Sequence, residues 1–329
     1  MDRRSFTVTV IAGLATLPRA TLAQPSSTKP VKVGVLRAAP DSSVFRRNFD
    51  RFGQTLRQGG FVDGTSLALE YRIRAGTTEE IAGLAAELVR LRMDAILAVG
   101  PAAVRAVTGA TRSIPIVAVD LESDPVAEGF VASLGRPGGN VTGLFLDFPG
   151  VSGKWIELLR EVVPRLSLIS VIWDPATPPN LLRGAEDAAR VVRVQILAQE
   201  APGFEGLATA FRSATGKRAG AMLVLPSTMV NSARKQIMEL AGKHRLPTIM
   251  AFPEFAEEGG LIAYGPNVGD MFHQAGNVMV KVLRGVAPGE IPIERPARFE
   301  MIVNRKTAAS LGLVVPRSLL ARADKVIDP

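Results

Sequence analysis

Val131-Ala-Ser-Leu-Gly-Arg-Pro-Gly-Gly-Asn-Val-Thr-Gly143 lies near the middle of the chain and sets how the rest is read. Gly135, Gly138, Gly139 and Gly143 together with Pro137 rule out a continuous helix, and Gly-Gly-Asn favours backbone angles that other residues avoid. A stretch of helical character, Asp124 to Val131, precedes it, and an apolar run, Leu144-Phe145-Leu146, follows. A surface loop would have the same composition. Its weight comes from the order of elements on either side.

Before it, Val31 to Leu36 reads as a strand of β-branched and apolar residues, and Phe45 to Gly59 as a helix with Phe45, Phe49, Phe52 and Leu56 at helical spacing. A second strand, Leu67 to Ile73, and an amphipathic helix, Thr77 to Leu91, come next. Ala95 to Val99 makes a third strand, a helix starts near Ala102, and Ile114 to Val119 makes a fourth strand. After it the grammar recurs. Helices are expected over Ser152–Val163, Leu181–Val192, Glu205–Thr215 and Asn231–His244, with strands over Ser167–Trp173, Gln195–Ala198, Ala221–Leu225 and Thr248–Ala251. Alternation of this kind gives parallel sheets covered on both faces, so the fold class is α/β with two doubly wound lobes. Beyond Tyr264-Gly265 come a helix, Asp270 to Leu283, a strand, Phe299 to Val303, and a short helix, Lys306 to Leu311; this tail is expected to return to the first lobe.

Composition agrees with two buried sheets. The 329 residues are 47% hydrophobic but only 5% aromatic, enough for two ordinary cores. Residues 1–23 read as an export signal: Arg3-Arg4 as the basic start, Phe6 to Leu17 as the apolar segment, and Thr21 and Ala23 at the specificity positions before Gln24. Asp2-Arg-Arg-Ser-Phe6 also resembles a twin-arginine motif, so either the general or the twin-arginine route fits a periplasmic destination. Residues 24–30 form a Ser/Thr/Pro tether, and charges or prolines interrupt every later apolar run, so no further membrane span is expected. Cysteine is absent, which removes disulfides, thiolate nucleophiles and thiolate metal sites together. The formal charge is +8, of which +2 lies in residues 1–23 and +6 in the rest. The cations are scattered without an aromatic-interleaved stripe, so no nucleic-acid partner is expected.

Catalytic motifs are missing. There is no phosphate-binding Gly-x-x-x-x-Gly-Lys-Ser/Thr loop, no Gly-x-Gly-x-x-Gly after the first strand and no Gly-x-Ser-x-Gly elbow. His244 and His273 stand far apart on helical stretches, and each fits a surface or core role better than a catalytic or metal-bound one. Neither catalytic residues, metal ligands nor cofactors are expected. In open parallel sheets, ligands sit beyond the carboxyl ends of the strands. Those ends supply Arg37, Ser42, Gly100-Pro101-Ala102, Asp120, Asp124, Asp147, Asp174, Asn180, Ser227-Thr228, Phe252, Glu254 and, further on, Tyr264. Asp124 before Pro125 also suits a helix N-cap, a role that leaves it able to face a ligand. Carboxylates, hydroxyls, one arginine and rings suit a small polar solute with an apolar or aromatic part, bound without bond-making.

The segments Pro115-Ile-Val-x-Val-Asp120 with Asp124-Pro-Val, Val131 to Gly143, Glu157-Leu-Leu-x-Glu-x-Val-Pro164, Phe255-x-Glu-x-Gly-Gly-Leu261, Lys306-Thr-Ala-x-x-Leu-Gly312 and Leu319-Leu-Ala-Arg-Ala-Asp324 occur in this order. Together they resemble the ABC-transporter substrate-binding protein family related to tryptophan-binding lipoproteins. The resemblance implies a type I periplasmic binding protein, with residues 31–146 as an N-terminal lobe completed by 267–329, residues 147–266 as a C-terminal lobe, and a multi-crossing hinge between them. It implies no catalysis, a small-molecule solute (first an amino acid) and an inner-membrane ABC permease as partner. Many relatives resemble Gly-Gly-Thr-Pro where this chain has Gly100-Pro101-Ala102. The same fold serving a signalling receptor, or a periplasmic enzyme, are the competing readings; a neighbouring kinase or a turned-over ligand would mark them.

Overall fold

In a computed structural model the structure describes residues 29–146, 148–175 and 177–329, with the side chains of Phe148, Pro149 and Thr228 outside the description. The expected export signal, most of the tether, and Asp147 lie outside the described residues.

The first lobe opens with β1 (Val31–Arg37), α1 (Ser43–Gln58), β2 (Leu67–Ile73), α2 (Thr78–Arg90), β3 (Ala95–Val99), α3 (Pro101–Ala110), β4 (Ile116–Asp120) and β5 (Val141–Phe145). All five strands run parallel in the order β2-β1-β3-β4-β5. Alternate residues of the inner strands point to opposite faces, as the two-residue period requires. Val33, Val35, Leu97 and Val119 join Phe45, Phe49, Phe52 and Leu56 of α1 in one layer. Leu36, Ile96, Ala98 and Ala118 join Ile81 and Leu88 of α2 and Val104 of α3 in the other.

The chain then crosses to the second lobe through α4 (Phe148–Val162), β6 (Leu168–Trp173), α5 (Asn180–Val191), β7 (Gln195–Glu200), α6 (Phe204–Gly216), β8 (Ala221–Val224), α7 (Thr228–Ser232), α8 (Arg234–His244), β9 (Thr248–Met250), α9 (Pro253–Glu257) and β10 (Ile262–Pro266). Trp155, Leu158 and Leu159 of α4 and Ala185 of α5 cover one sheet face, and Leu207 and Phe211 of α6 with Ile237 of α8 cover the other. It returns through α10 (Val268–Leu283) and closes with β11 (Phe299–Asn304), α11 (Arg305–Leu311), α12 (Arg317–Arg322) and β12 (Lys325–Ile327).

Here the structure corrects the expectation for the tail. Of residues 267–329, only α10 and the strap after it return to the first lobe. Met271, Phe272, Ala275 and Val278 of α10 are buried against the α1 layer, and Thr142 Oγ1 donates to the Ile291 carbonyl. β11 and β12 instead extend the second sheet, whose order is β12-β11-β10-β9-β8-β6-β7. The reason is pairing: β10 offers a free edge, which β11 takes antiparallel over Ile262↔Val303 to Pro266↔Phe299. The helical reading of Asp124 to Val131 also fails. Residues 125–129 are turns, held by Asp124 Oδ1 accepting the Val126 and Ala127 amides.

Two glycines shape the strands that lead out of each lobe. Gly143 in β5 has φ 130°, and a Cβ there would stand 2.1 Å from the Ala118 carbonyl oxygen. Gly265 in β10 would put a Cβ equally close, 2.1 Å from the Ala251 carbonyl oxygen. Backbone approaches of this kind admit no side chain.

Candidate functional site

The carboxyl ends of β1, β3 and β4 in one lobe and of β6, β8 and β9 in the other carry the residues singled out above, because parallel strands end on a common edge. Leu121, just past β4, packs against both the first lobe's α1 layer and the second lobe's α4 layer, so the lobes meet at this point.

Asp120 is fully buried. Its Oδ1 accepts the Glu122 and Ser123 amides at 3.0 and 3.1 Å, while Oδ2 has no hydrogen-bond partner among the described residues. Burial raises its pKa against the lowering by those amides, by the neighbouring Ser123 hydroxyl and by Arg105. Glu122 keeps part of its surface accessible, yet burial, reinforced by the negative charges of Asp120 and of Asp174 across the cleft, pushes its carboxyl up to about 8. Carboxylates from both lobes therefore crowd one locality. No group of three or more acidic or histidine residues among those described is placed to hold a metal ion. A positive charge placed among these carboxylates would relieve the crowding.

Beside this cluster, Ser123, Asp124 and Phe145 of the first lobe and Asn180 of the second line a cavity of about 150 Å³. Ser123 Oγ and Asn180 Oδ1 are buried there without hydrogen-bond partners. Buried polar atoms are rarely left so, and three of the five such oxygens among the described residues belong to Asp120, Ser123 and Asn180. A larger cavity, about 270 Å³, lies between Lys32, Arg92 and Asp94 at the opposite strand ends. It is remote from this polar cluster, and Asp94 Oδ2 there already accepts the Lys32 amide.

Gly100 takes φ 88° and opens α3 with no side-chain cap, Pro101 follows as the first helical residue, and Ala102 is exposed. With no proline N–H to satisfy, the Ala102 and Ala103 amides form a bare positive helix end beside β3. A threonine hydroxyl in that turn would compete for those amides; this chain leaves them open.

Other expected residues have structural employment. Ser42 caps α1 by accepting the Phe45 amide, and Ser227 caps α7 by accepting the Val230 amide. Arg37 folds back over the Phe45 ring, 4.5 Å from its centroid, and donates to the Pro40 carbonyl; burial lowers its pKa, with Asp41 opposing. Phe252 is half-buried between the two core layers of the second lobe. Burial raises the Glu254 pKa, while the charges of Arg234 and of Arg47 on the other lobe lower it. Tyr264 stacks on Phe299 at 5.6 Å, and its carbonyl accepts the Trp155 indole N–H at 2.7 Å. Asp147 and the Thr228 side chain lie outside the described residues.

Glu122 and Ser123 escaped the sequence reading. Both stand inside the run Asp120 to Asp124 at the end of β4, of which only the two aspartates are singled out by sequence. The available signal was the two-residue step from Asp120, whose carboxylate folds back on the following amides.

Two doubly wound lobes, crossed three times by the chain and meeting over a polar cleft, define a type I periplasmic binding protein fold. The family model described as ABC transporter substrate binding protein matches residues 32–327, and the chain belongs to that family, a family of binding proteins rather than enzymes. A tyrosine-binding protein of Clostridioides difficile (strain R20291) is 24% identical over 264 residues, 80% of this chain and 75% of that protein. An ABC domain from Streptococcus pneumonia solved with L-Trp is 21% identical, with a TM-score of 0.83 over 91% of this chain and 100% of that one. A conserved domain protein from Vibrio cholerae is 22% identical, with a TM-score of 0.84 over 91% and 100%.

Proposed function

We propose that the chain traps an amino acid, one with an aromatic or apolar side chain, between its lobes and delivers it to an ABC permease from the periplasmic side. The observation that carries this reading is the polarity of the cleft. Asp120 and Glu122 face Asp174 on one side, suited to an ammonium, and the open end of α3 at Gly100–Ala103 offers amides to a carboxylate. A zwitterion matches both. Phe145, which lines the cavity, suits a planar or apolar side chain, and Phe252 and Tyr264 are the second lobe's candidates to meet it. The tyrosine and tryptophan named for two relatives support the same class.

Carboxylates drawn from both lobes make the ligand part of the closure: an ammonium between Asp120 and Asp174 favours the closed state because only there does it meet both. Residues 1–23 carry the export reading, and among the described residues no helix is long and apolar enough to cross a membrane.

Thermal unfolding against amino acids, aromatic acids lacking the amine, purines and sugars tests the reading. A ligand at a hundredfold excess over its Kd adds about 2.7 kcal/mol of stability. The expected result is a raised midpoint with aromatic or branched amino acids, and none with the deaminated acids. A shift with sugars alone would sink the amino-acid assignment, and a chemically altered ligand would sink the binding-only role.

A further inference from the structure

Among the described residues, five non-glycine positions adopt positive φ, and all five are arginines: Arg92, Arg165, Arg193, Arg218 and Arg245. Each ends a helix and feeds the next strand. Left-handed backbone at a helix end favours glycine or asparagine, so arginine there costs about 1 kcal/mol of local strain per position. A cation also suits the negative end of a helix, which explains one such arginine, or several dispersed ones.

Four of them are not dispersed. Arg165, Arg193, Arg218 and Arg245 precede β6, β7, β8 and β9, which are parallel neighbours, so their entries share one edge of the second lobe. At the ordinary strand spacing the row Arg245-Arg218-Arg165-Arg193 spans about 15 Å. All four are exposed, as are Lys217 and Lys243 beside them. None of these six cations forms an ion pair among the described residues; Arg245 donates to the Ser310 carbonyl. The four loops concerned, 163–168, 191–195, 216–221 and 243–248, contain no carboxylate. On the helices that lead into these loops, Glu161 pairs with Arg322 and Asp187 with Arg190, whereas Glu186 and Glu239 stand seven and six residues before Arg193 and Arg245.

We propose that this arginine-lined end of the second lobe, opposite the cleft, is a docking surface for an anionic lipid bilayer. A row along a sheet edge presents separate charges on a broad front rather than a concave phosphate pocket. Val191, 84% exposed and two residues from Arg193, adds an apolar tip among the cations. Basic residues with an exposed aliphatic side chain suit a headgroup layer, whereas a single-stranded nucleic acid would call for free stacking rings; these loops hold no Phe, Tyr or Trp, and His244 lies against Phe211.

Sedimentation of the full chain with phosphatidylcholine vesicles, with and without phosphatidylglycerol, tests it, because any contribution of residues 1–28 is common to every variant. The combined Arg165→Asn, Arg193→Asn, Arg218→Asn and Arg245→Asn variant removes four charges and keeps a residue that tolerates left-handed backbone. It is expected to lose binding to the phosphatidylglycerol vesicles by about tenfold or more. Changing Arg57, Arg90, Arg112 and Arg136 to Gln removes the same charge from the first lobe and should leave binding nearly intact. Lys217→Gln with Lys243→Gln spares every left-handed position and should weaken binding severalfold even if the arginine variant folds poorly. Equal losses in the two lobes, or no preference for phosphatidylglycerol, would overturn the proposal. So would duplex DNA displacing the vesicles at matched phosphate concentration and binding through the same arginines.

Discussion

At the end of β4 the first lobe holds Asp120, fully buried, one oxygen fed by two backbone amides and the other without a partner. At the end of β8 the second lobe holds Ser227, equally buried, its oxygen committed to capping the Val230 amide. The contrast recurs nearby. In the first lobe Ser123 Oγ is unpartnered and α3 begins without a cap; in the second, Phe252 packs between core layers and Arg234 is committed to Glu258. Asn180 is the second lobe's exception at the cleft cavity, while its Ser170 and Glu258 hold unpartnered oxygens elsewhere, and Ser42 is the first lobe's exception. At these two strand ends the lobes divide the labour: β4 ends in a carboxylate oxygen held in reserve, and β8 ends in a hydroxyl used to hold the next turn in place.

The sharpest way to break this comparison is to disturb the strands on which each lobe's cleft edge rests. Gly143→Ala meets the Ala118 carbonyl oxygen and must also hold φ 130°, so urea unfolding should show a loss of about 3–5 kcal/mol. Gly265→Ala meets the Ala251 carbonyl oxygen without that strain and should lose less. A reversed order would mean that the first lobe yields more readily at its exit strand than the second. Next in size, Asp120→Ala should weaken amino-acid binding by about thirtyfold or more, read by calorimetry, because it removes a buried charge from the ammonium's surroundings. Ser227→Ala should cost about 1 kcal/mol of stability as a lost cap and leave the Kd within a factor of about two. A large affinity loss at Ser227 would erase the division of labour.

A pH series sharpens the same contrast. The Glu122 carboxyl is raised from 4.5 to about 8 in the folded chain. Between those values the unfolded chain has released this proton and the folded chain has kept it, so stability falls as pH rises through the window. Glu122→Gln should flatten that fall: the melting midpoints of the two proteins should converge near the acid end and diverge in the variant's favour near the alkaline end. An ammonium ligand favours the ionised Glu122, so binding near neutral pH should release protons, which calorimetry in buffers of different ionisation enthalpy would detect. Trp155→Phe should act on stability alone. It removes the indole bond to the Tyr264 carbonyl and should cost about 1–2 kcal/mol, with little change in affinity.

What could be read in advance followed from period and punctuation. The Val31, Ala95 and Ala221 strands are apolar runs bounded by turn residues, and α1 carries four core residues at helical spacing; each is visible without neighbours. β5 and β10 were not visible as strands. Thr142-Gly143 and Gly265-Pro266 dilute their propensity, and only the backbone of β4 and the pairing with β11 make strands of them. The tail misled for a related reason. β11 reads as a strand, but nothing local says which edge it will take. The positions of Asp120 at the end of β4 and of Asn180 at the start of α5 were legible from the order of elements. The reserve held in Glu122 and Ser123 depends on how the Asp120 carboxylate folds back on the next two amides, a matter of three-dimensional geometry. Arg37 illustrates the opposite failure: its position was legible, but its turn onto Phe45 was not.

α10 lies some 120 residues downstream of β5 in the chain, yet it supplies half of the layer that covers α1 and the inner face of β1, β3 and β4. On a ribosome, therefore, the five strands of the first sheet emerge complete while one of their apolar faces still awaits its cover. That face stays open until the whole intervening α/β region, through β10, has been synthesised. For this period the nascent chain presents Phe45, Phe49 and Phe52 to whatever holdase is at hand. A chain threaded unfolded across a membrane would defer the problem, and one exported already folded would have to solve it first.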